Sequence, residues 1–143
     1  YSKNIRNEIL KTPKIYFSDL GIRNSLLGLT TLSQLEKLNQ FGMVFENSIV
    51  ERLNSVLQLT GPDARLHYWR TKTKEKVDIV IHKPDRLIPV EVKSDKKIQT
   101  RHLKGLRSFL QKEKAGILIG RFEDADILEE DKTKIYLLPY WMI

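Results

Sequence analysis

The stretch KVDIVIHKPDRLIPVEVK, residues 76–93, is the part of this chain that decides its predicted fold. Residues 76–82 and 87–93 are rich in Val and Ile, which favour β-strands, and the KPDR tetrapeptide between them is typical of a turn. Symmetric closure of this hairpin predicts three cross-strand pairs: His82 with Leu87, Val80 with Pro89, and Asp78 with Glu91. Because Pro89 lacks a backbone N–H, the hairpin could instead be bulged at that position.

The hairpin would bring two carboxylates together. Asp78 and Glu91 would share one face of the sheet with Cβ atoms about 5 Å apart, and Lys93 would lie on that face as well. Two carboxylates this close repel each other and titrate as a coupled pair unless a cation lies between them. A divalent metal ion would supply that cation. Since the chain has no Cys and only three His without ligand-like spacing, we expect a hard metal held by oxygen.

Composition restricts the class of protein. The 143 residues, 41% hydrophobic and 30% charged, fit one globular domain. The sequence contains neither an apolar run long enough to span a membrane nor a signal-peptide pattern. We therefore expect a cytoplasmic protein, and the lack of Cys suits a reducing compartment. Because the sequence begins with Tyr1 rather than Met, we expect a fragment of a longer protein.

The net charge of +7 is concentrated in one part of the sequence. Residues 61–120 contain 15 basic and 7 acidic side chains, which gives this stretch a charge of +8. A basic excess around the candidate carboxylates predicts a polyanionic partner. A solvated basic face that binds nothing specific is the alternative.

Hydrophobic periodicity and turn signals predict the remaining elements. The predicted elements are a strand at 13–18 followed by Asp19 as a helix N-cap, helices at 22–29, 32–38, 41–59 and 98–111, and strands at 65–71, 115–120 and 135–138. From residue 41 the order is α-β-β-β-α-β with one further strand. This order predicts an α/β domain at residues 32–143, with a mixed central sheet flanked by helices. Residues 1–31 would form a strand-helix extension packed on it.

Helix 41–59 carries a carboxylate at an unusual position. Glu46 lies one turn before Ile49 and Val50, on the apolar stripe of the helix, rather than on the solvent face. A carboxylate on the core side is costly unless it is paired or bound to a metal. The alternative is a helix-edge Glu that bonds a backbone amide or a Lys.

The arrangement of these residues resembles the PD-(D/E)XK nuclease superfamily. Asp78, twelve intervening residues and then Glu91-Val92-Lys93 follow a helix that carries Glu46, and the usual core order of that superfamily is αβββαβ. The Pro of its name is absent, since Val77 precedes Asp78. Nearly the whole chain is similar to a C-terminal domain of unknown function in a family of prokaryotic AAA+ ATPases. The strings that carry this similarity are PKIYFSDLGIR (13–23), GMVFEN (42–47), YWRTK (68–72) and VEVKS (90–94).

The resemblance implies a restriction-endonuclease-like fold and metal-dependent phosphodiester hydrolysis of nucleic acid, with DNA more probable than RNA. Asp78 and Glu91 would hold Mg²⁺ or Mn²⁺, with the carbonyl of Val92 as a further ligand. Lys93 would orient or deprotonate the attacking water, and Glu46 would complete the metal shell or hold a metal-bound water. An ATPase domain would precede this domain in the same chain, and a homo-oligomer is compatible with the sequence.

Basic residues near the candidate site are expected to contact the nucleic acid backbone. They are Lys96, Lys97, Arg101, Lys104 and Arg107 around the helix at 98–111, Arg70 near the end of the strand at 65–71, and Lys72 directly after that strand. Tyr68 and Trp69 could stack on bases, although at alternating strand positions one of them is expected in the core. A catalytically silent nuclease-fold module that binds nucleic acid or docks to its ATPase is the alternative function.

Overall fold

A computed structural model describes residues 14–60, 63–71, 75–111, 113–130 and 132–143 of the chain. The α-helices are α1 (Leu20–Leu26), α2 (Leu32–Lys37), α3 (Phe41–Thr60) and α4 (Lys104–Phe109). The strands are β1 (Arg65–Arg70), β2 (Lys76–Lys83), β3 (Arg86–Val92), β4 (Ala115–Gly120), β5 (Asp126–Glu130) and β6 (Thr133–Pro139). Two 3₁₀-helices, Thr100–Leu103 and Tyr140–Met142, precede α4 and follow β6.

The six strands form one mixed sheet in the order β1-β2-β3-β4-β6-β5. β3, β4 and β6 run parallel, whereas β1–β2, β2–β3 and β5–β6 are antiparallel pairs. One buried apolar cluster joins the sheet to α3, and a second joins it to α4. The predicted α/β class, with a mixed central sheet flanked by helices, is therefore confirmed. The elements from α3 to β4 also follow the predicted order α-β-β-β-α-β.

The β2–β3 hairpin has the predicted register. His82 pairs with Leu87 and Val80 pairs with Pro89, so the bulge considered at Pro89 is not observed. The ladder ends at the pair Ile79–Val90. The third predicted pair, Asp78 with Glu91, is therefore not part of the ladder, and these two residues lie just beyond it at the open end of the hairpin.

The β1–β2 ladder is irregular next to the candidate site. His67 pairs with Val80 and Trp69 pairs with Val77, so Tyr68 alone lies opposite the two residues Asp78 and Ile79. Val77 and Val80 both pack in the cluster beside α4. In a regular strand, residues three apart point to opposite faces. The bulge thus interrupts the strict alternation on which the shared face of Asp78 and Glu91 was predicted, and bulges of this kind re-aim side chains beside functional sites.

The segment before α1 is not the predicted strand. Within residues 14–18 no strand is formed, and residue 13 lies outside the described part. The backbone is held instead by a side chain of α3. The buried Asn47 accepts a hydrogen bond from the Phe17 N–H and donates one to the Phe17 carbonyl, both at 2.8 Å. The apolar pattern indicates an extended segment but not what pairs with it. Here the amide side chain of Asn47 satisfies the backbone groups that a neighbouring strand would otherwise satisfy.

The two short helices begin at side-chain caps. Asp19 accepts a hydrogen bond from the Ile22 N–H at 2.9 Å, which confirms the predicted N-cap of α1. The helix begins at Leu20, two residues earlier than predicted. It also ends earlier than predicted, because Gly28 adopts a φ of 66° soon after Leu26. Thr31 caps α2 through a capping box with Gln34.

The predicted helix at 98–111 is shorter than expected. It begins as the 3₁₀-helix at Thr100 and continues as α4. The backbone N–H of His102 donates to the Gln99 carbonyl at 2.8 Å, while the Gln99 N–H donates to His102 Nδ1 at 3.3 Å. These two bonds hold the first turn in the tighter 3₁₀ form. The last strand is slightly longer than predicted, and β5 was not predicted at all.

Gly105 lies at the point where α4 meets the end of β2. A Cβ atom at this position would lie 1.9 Å from the Lys76 carbonyl oxygen and 3.7 Å from Glu91 Oε2. We expect Gly105→Ala to lower the free energy of unfolding by about 3 kcal/mol, because the helix must move away from the backbone of β2. Gly42→Ala in α3 is a matched control, since its Cβ would meet only Ser94 Oγ, at 3.6 Å. Equal stabilities of the two variants in urea denaturation would contradict the close approach.

Candidate active site

Asp78 lies at the centre of a group of cations. Its side chain is fully buried, and Oδ1 lies 3.0 Å from Lys76 Nζ and 3.3 Å from Lys14 Nζ. Oδ2 lies 3.3 Å from Lys93 Nζ and accepts a hydrogen bond from the Val92 N–H at 3.3 Å. The carboxylate therefore takes the place of a ladder carbonyl opposite β3 and also binds three ammonium groups.

The cations decide the protonation of Asp78. Burial alone would raise the pKa of this carboxyl, but the charges of Lys93, Lys14 and Lys76 outweigh burial. They hold the pKa of Asp78 well below its usual range. Asp78 is thus a permanent anion at neutral pH.

Glu91 lies in a different environment. Its Oε1 lies 2.5 Å from Lys93 Nζ, whereas its buried Oε2 has no hydrogen-bond partner among the described residues. Burial and the nearby charge of Asp78 raise the pKa of Glu91 to about 7, although Lys93 opposes the shift. One carboxylate of the pair is therefore firmly ionised, and the other is short of positive charge.

Three oxygens converge on one ammonium. Lys93 Nζ lies 3.3 Å from Asp78 Oδ2, 2.5 Å from Glu91 Oε1 and 3.1 Å from the Val92 carbonyl. Burial would lower the pKa of Lys93, but Asp78 and Glu91 raise it overall, so the side chain is a cation. The carboxylates of Asp78 and Glu91 and the Val92 carbonyl, which were predicted to bind a metal ion, thus surround the ammonium of Lys93.

Glu46 joins the site through the segment before α1. Its Oε1 lies 2.8 Å from Lys14 Nζ and accepts a hydrogen bond from the Tyr16 hydroxyl at 2.7 Å. Lys14 bridges Glu46 to Asp78. The pairing with a Lys, weighed as the alternative for Glu46, is what the structure shows. Burial and the hydrogen bond to Glu46 raise the pKa of Tyr16, so its hydroxyl keeps its proton.

The donor set fits a hard cation only in part. Two carboxylates and a carbonyl converge on Lys93 Nζ, and the unpartnered Oε2 of Glu91 could accept a further positive charge. Glu46 does not reach this point directly. Within residues 14–60, 63–71, 75–111, 113–130 and 132–143, no three His, Cys, Asp or Glu side chains form a cluster that could hold a metal ion.

Comparison with known proteins places the chain in a family. Residues 41–141 match the family described as a domain of unknown function (DUF4143), which is well over half of the sequence. The chain belongs to the DUF4143 family. The resemblance to a domain of unknown function is thereby confirmed. The finer resemblance to the nuclease superfamily remains a prediction.

Two mycobacterial proteins are similar to this DUF4143 chain. They are the uncharacterized protein Mb2031c of Mycobacterium bovis and the uncharacterized protein Rv2008c of Mycobacterium tuberculosis, each 31% identical over 90 residues. Those residues are 63% of the chain and 20% of each relative. The chain thus matches about a fifth of the length of these relatives. In the part of the DUF4143 chain that the structure describes, no helix has the length and apolarity needed to cross a membrane.

Three residues of the DUF4143 site were not predicted from the sequence. Lys76 lies two residues before Asp78 on the same strand, a spacing that could have indicated it. Lys14 and Tyr16 lie in the PKIYFSDLGIR string, which contributed to the family resemblance, but no local pattern connects them with β2. Their contacts with Glu46 and Asp78 span 30 to 64 residues of sequence.

The expected nucleic-acid contacts of the DUF4143 domain divide into two groups. Four are exposed and form no ion pair with any described residue: Lys96, Lys97, Arg101 and Lys104. Arg107 instead lies 2.5 Å from Glu130 of β5, so part of its charge is neutralised. Arg70 is exposed at the end of β1, and Lys72 lies outside the described residues.

The raised pKa of Glu91 predicts a pH-dependent stability. The folded DUF4143 domain binds this proton more tightly than the unfolded chain does, so stability should fall as the pH rises from about 4.5 to about 7. We expect a loss on the order of 3 kcal/mol between pH 5 and pH 8 that Glu91→Gln does not show. Burial lowers the pKa of His102, which makes stability rise with pH in both proteins. Subtracting the unfolding free energy of Glu91→Gln from that of wild type, each measured by urea denaturation, cancels this effect. If wild type and Glu91→Gln lost the same stability between pH 5 and pH 8, the raised pKa of Glu91 would be contradicted.

Proposed function

We propose that this domain is a metal-dependent phosphodiester hydrolase that acts on nucleic acid, with a restriction-endonuclease-like core. The observation that carries the proposal is the convergence of Asp78, Glu91 and the Val92 carbonyl on the ammonium of Lys93. Ammonium and Mg²⁺ are both hard cations that favour oxygen ligands. An ion and Lys93 would therefore compete for the same oxygens.

Asp78, Glu91 and the Val92 carbonyl would hold Mg²⁺ or Mn²⁺. When bound, the ion supplies a Lewis acid for the phosphoryl oxygen and lowers the pKa of a coordinated water. The unpartnered Oε2 of Glu91 supports this assignment, because a buried acceptor without a donor is costly unless a ligand satisfies it. The low pKa of Asp78 keeps at least one ligand ionised at any pH near neutrality.

The lysines have separate parts in the proposed reaction. Lys93 holds its proton, so it would donate a hydrogen bond to the attacking water or to a phosphoryl oxygen rather than act as a base. Lys14 and Lys76 would offset negative charge at Asp78 Oδ1, on the other side of the carboxylate. Glu46 would act through Lys14, which it positions.

The fold and the charge distribution support the same class of reaction. The order of elements from α3 to β4 agrees with the αβββαβ order of the PD-(D/E)XK superfamily. Exposed cations around the 3₁₀-helix and α4 would bind the phosphate backbone, with DNA as the first substrate to test. From the resemblance to a C-terminal domain of prokaryotic AAA+ ATPases, we further propose that the domain works in the cytoplasm beside an ATPase domain in the same longer chain.

A cleavage assay tests the proposal. Single-stranded, duplex and branched DNA and RNA are incubated with Mg²⁺ or Mn²⁺, and with EDTA, using wild type and Glu91→Gln. We expect cleavage that EDTA abolishes and that Glu91→Gln lowers by about 100-fold or more. In wild type, Mn²⁺ should also raise the melting temperature, and in Glu91→Gln this shift should be smaller. A folded wild-type protein that neither cleaves nucleic acid nor is stabilised by Mn²⁺ would contradict the proposed hydrolase function.

A catalytically silent binding module is the second candidate. It is favoured by the charge balance of the site, where the three ammonium groups of Lys14, Lys76 and Lys93 equal the three carboxylates in number without a metal. This function predicts salt-sensitive nucleic-acid binding without cleavage. Charge reversal at Arg101 and Lys104 should then abolish binding, whereas Glu91→Gln should leave it unchanged.

A further inference from the structure

A groove of about 770 Å³ runs along β1 and reaches the candidate active site. We refer to it as the β1 groove. β1 is an edge strand of the sheet, so the groove is not covered by a further described strand. Its lining combines aromatic rings with charged groups near Asp78, namely Tyr16, His67, Tyr68, Trp69, Lys14 and Arg70.

The two adjacent aromatic residues of β1 have different environments. Trp69 packs edge-on against Phe109 at a centroid distance of 5.1 Å and belongs to the core beside α4. Tyr68 is 38% exposed, which makes it the member of the pair available to a ligand. It lies opposite the bulge at Asp78 and Ile79, so it is on the neighbouring strand next to the residue that carries the carboxylate, and both residues line the groove.

Further rings extend the groove away from Asp78. His67 and His82 lie edge-on to each other at 5.7 Å, and His67 is exposed. At the Asp78 end, the ammonium of Lys14 contacts the carboxylate within the same groove. The groove thus offers stacking surfaces along its length and positive charge where the reaction is proposed to occur.

We propose that the β1 groove binds an unpaired stretch of nucleic acid, with a base stacked on Tyr68 and the adjacent phosphate directed to the ammonium of Lys14, which lies beside Asp78. This inference rests on the proposed function and names its substrate class. A base offers its π-face to a protein ring only when it is not stacked within a duplex, and such stacking contributes substantially to single-strand binding. A duplex would present only phosphates to the same groove.

The test measures binding without cleavage. A fluorescently labelled oligo-dT strand is titrated with protein in EDTA, alone and annealed to its complement, and anisotropy is recorded. We expect the wild-type protein to bind the single strand about 10-fold or more tighter than the duplex. Tyr68→Ala and Tyr68→Leu should each weaken single-strand binding by about 10-fold, while Tyr68→Phe should retain it. Tyr68→Leu keeps a strand-compatible apolar side chain and so guards against misfolding.

Tyr136→Ala is the matched control. Tyr136 is a strand tyrosine with 37% exposure on β6, which β2, β3 and β4 separate from β1. This variant should bind both ligands as wild type does. Equal affinities for the single strand and the duplex, or equal effects at Tyr68 and Tyr136, would overturn the inference. Because these titrations contain no metal, a failure of the proposed hydrolysis leaves them interpretable.

Discussion

Lys93→Ala should bind Mn²⁺ more tightly than the wild-type protein and yet cleave nucleic acid about 100-fold or more slowly. Tighter binding is expected because the ammonium that contacts Asp78, Glu91 and the Val92 carbonyl would no longer compete with the ion. Slower cleavage is expected because the positive charge and the hydrogen-bond donor at the reacting group are lost. A residue with a purely structural role would change both quantities in the same direction.

Isothermal titration with Mn²⁺ and a cleavage time course measure the two effects on the same preparations. Lys83→Ala is the control, since Lys83 is exposed at the turn end of the same hairpin. It should match wild type in both assays. Weaker Mn²⁺ binding by Lys93→Ala would mean that the ammonium and the ion do not share one set of oxygens. Undiminished cleavage would exclude Lys93 from the reaction.

Asp78→Asn should lower the free energy of unfolding by about 3–5 kcal/mol, the usual effect of removing one member of a buried ion pair. The side chain of Asp78 is fully buried, and three ammonium groups depend on its charge. An amide keeps the size of the side chain but brings its own N–H donors toward those ammonium groups. The substitution therefore tests charge rather than packing.

Urea denaturation at pH 7 gives the size of this effect, and its pH dependence gives the cause. Because the folded-state pKa of Asp78 is lowered, its stabilisation is present above about pH 4 and is lost as the pH falls further. The difference between wild type and Asp78→Asn should therefore shrink in acid. Asp85→Asn, in the exposed turn of the hairpin, should be nearly neutral. A difference that does not depend on pH would indicate lost packing instead.

The hairpin and its register could be predicted from sequence because the signals are local. Val- and Ile-rich runs on either side of a four-residue turn leave few ways to pair the strands, and the observed pairs His82–Leu87 and Val80–Pro89 follow from symmetric closure. That register also predicts that Asp78, Glu91 and Lys93 lie close together, although the ladder ends one pair before Asp78 and Glu91. Long amphipathic helices such as α3 were predicted for the same reason.

The bulge and the contacts from the N-terminal segment could not be predicted in this way. A bulge opposite Tyr68 changes the face of one residue without changing the composition of the strand. Lys14 reaches Asp78 from 64 residues away, and only the packing of its segment on α3 determines that contact. Local periodicity therefore predicts neither the bulge nor the contact between Lys14 and Asp78.

The missed strand β5 shows the limit of hydrophobic patterning at a sheet edge. Its sequence DILEE is mostly charged, so hydrophobic periodicity does not predict a strand there. It forms a strand because β6 supplies hydrogen-bonding partners along its whole length. Its charges are satisfied by contacts such as Arg107–Glu130 and Lys134–Glu129, which a sequence does not reveal.

The attachment of the N-terminal segment has a consequence for the cations around Asp78. Lys76 and Lys93 are attached to the hairpin that carries Asp78, so their backbones stay beside the carboxylate as long as the sheet is intact. Lys14 is held beside the carboxylate by a stretch of backbone whose link to α3 includes the two amide hydrogen bonds of Asn47. Two of the three counterions of Asp78 are thus carried by the sheet and one by a separate segment. Release of that segment alone would lower the positive charge around Asp78 by one unit and leave every strand in place.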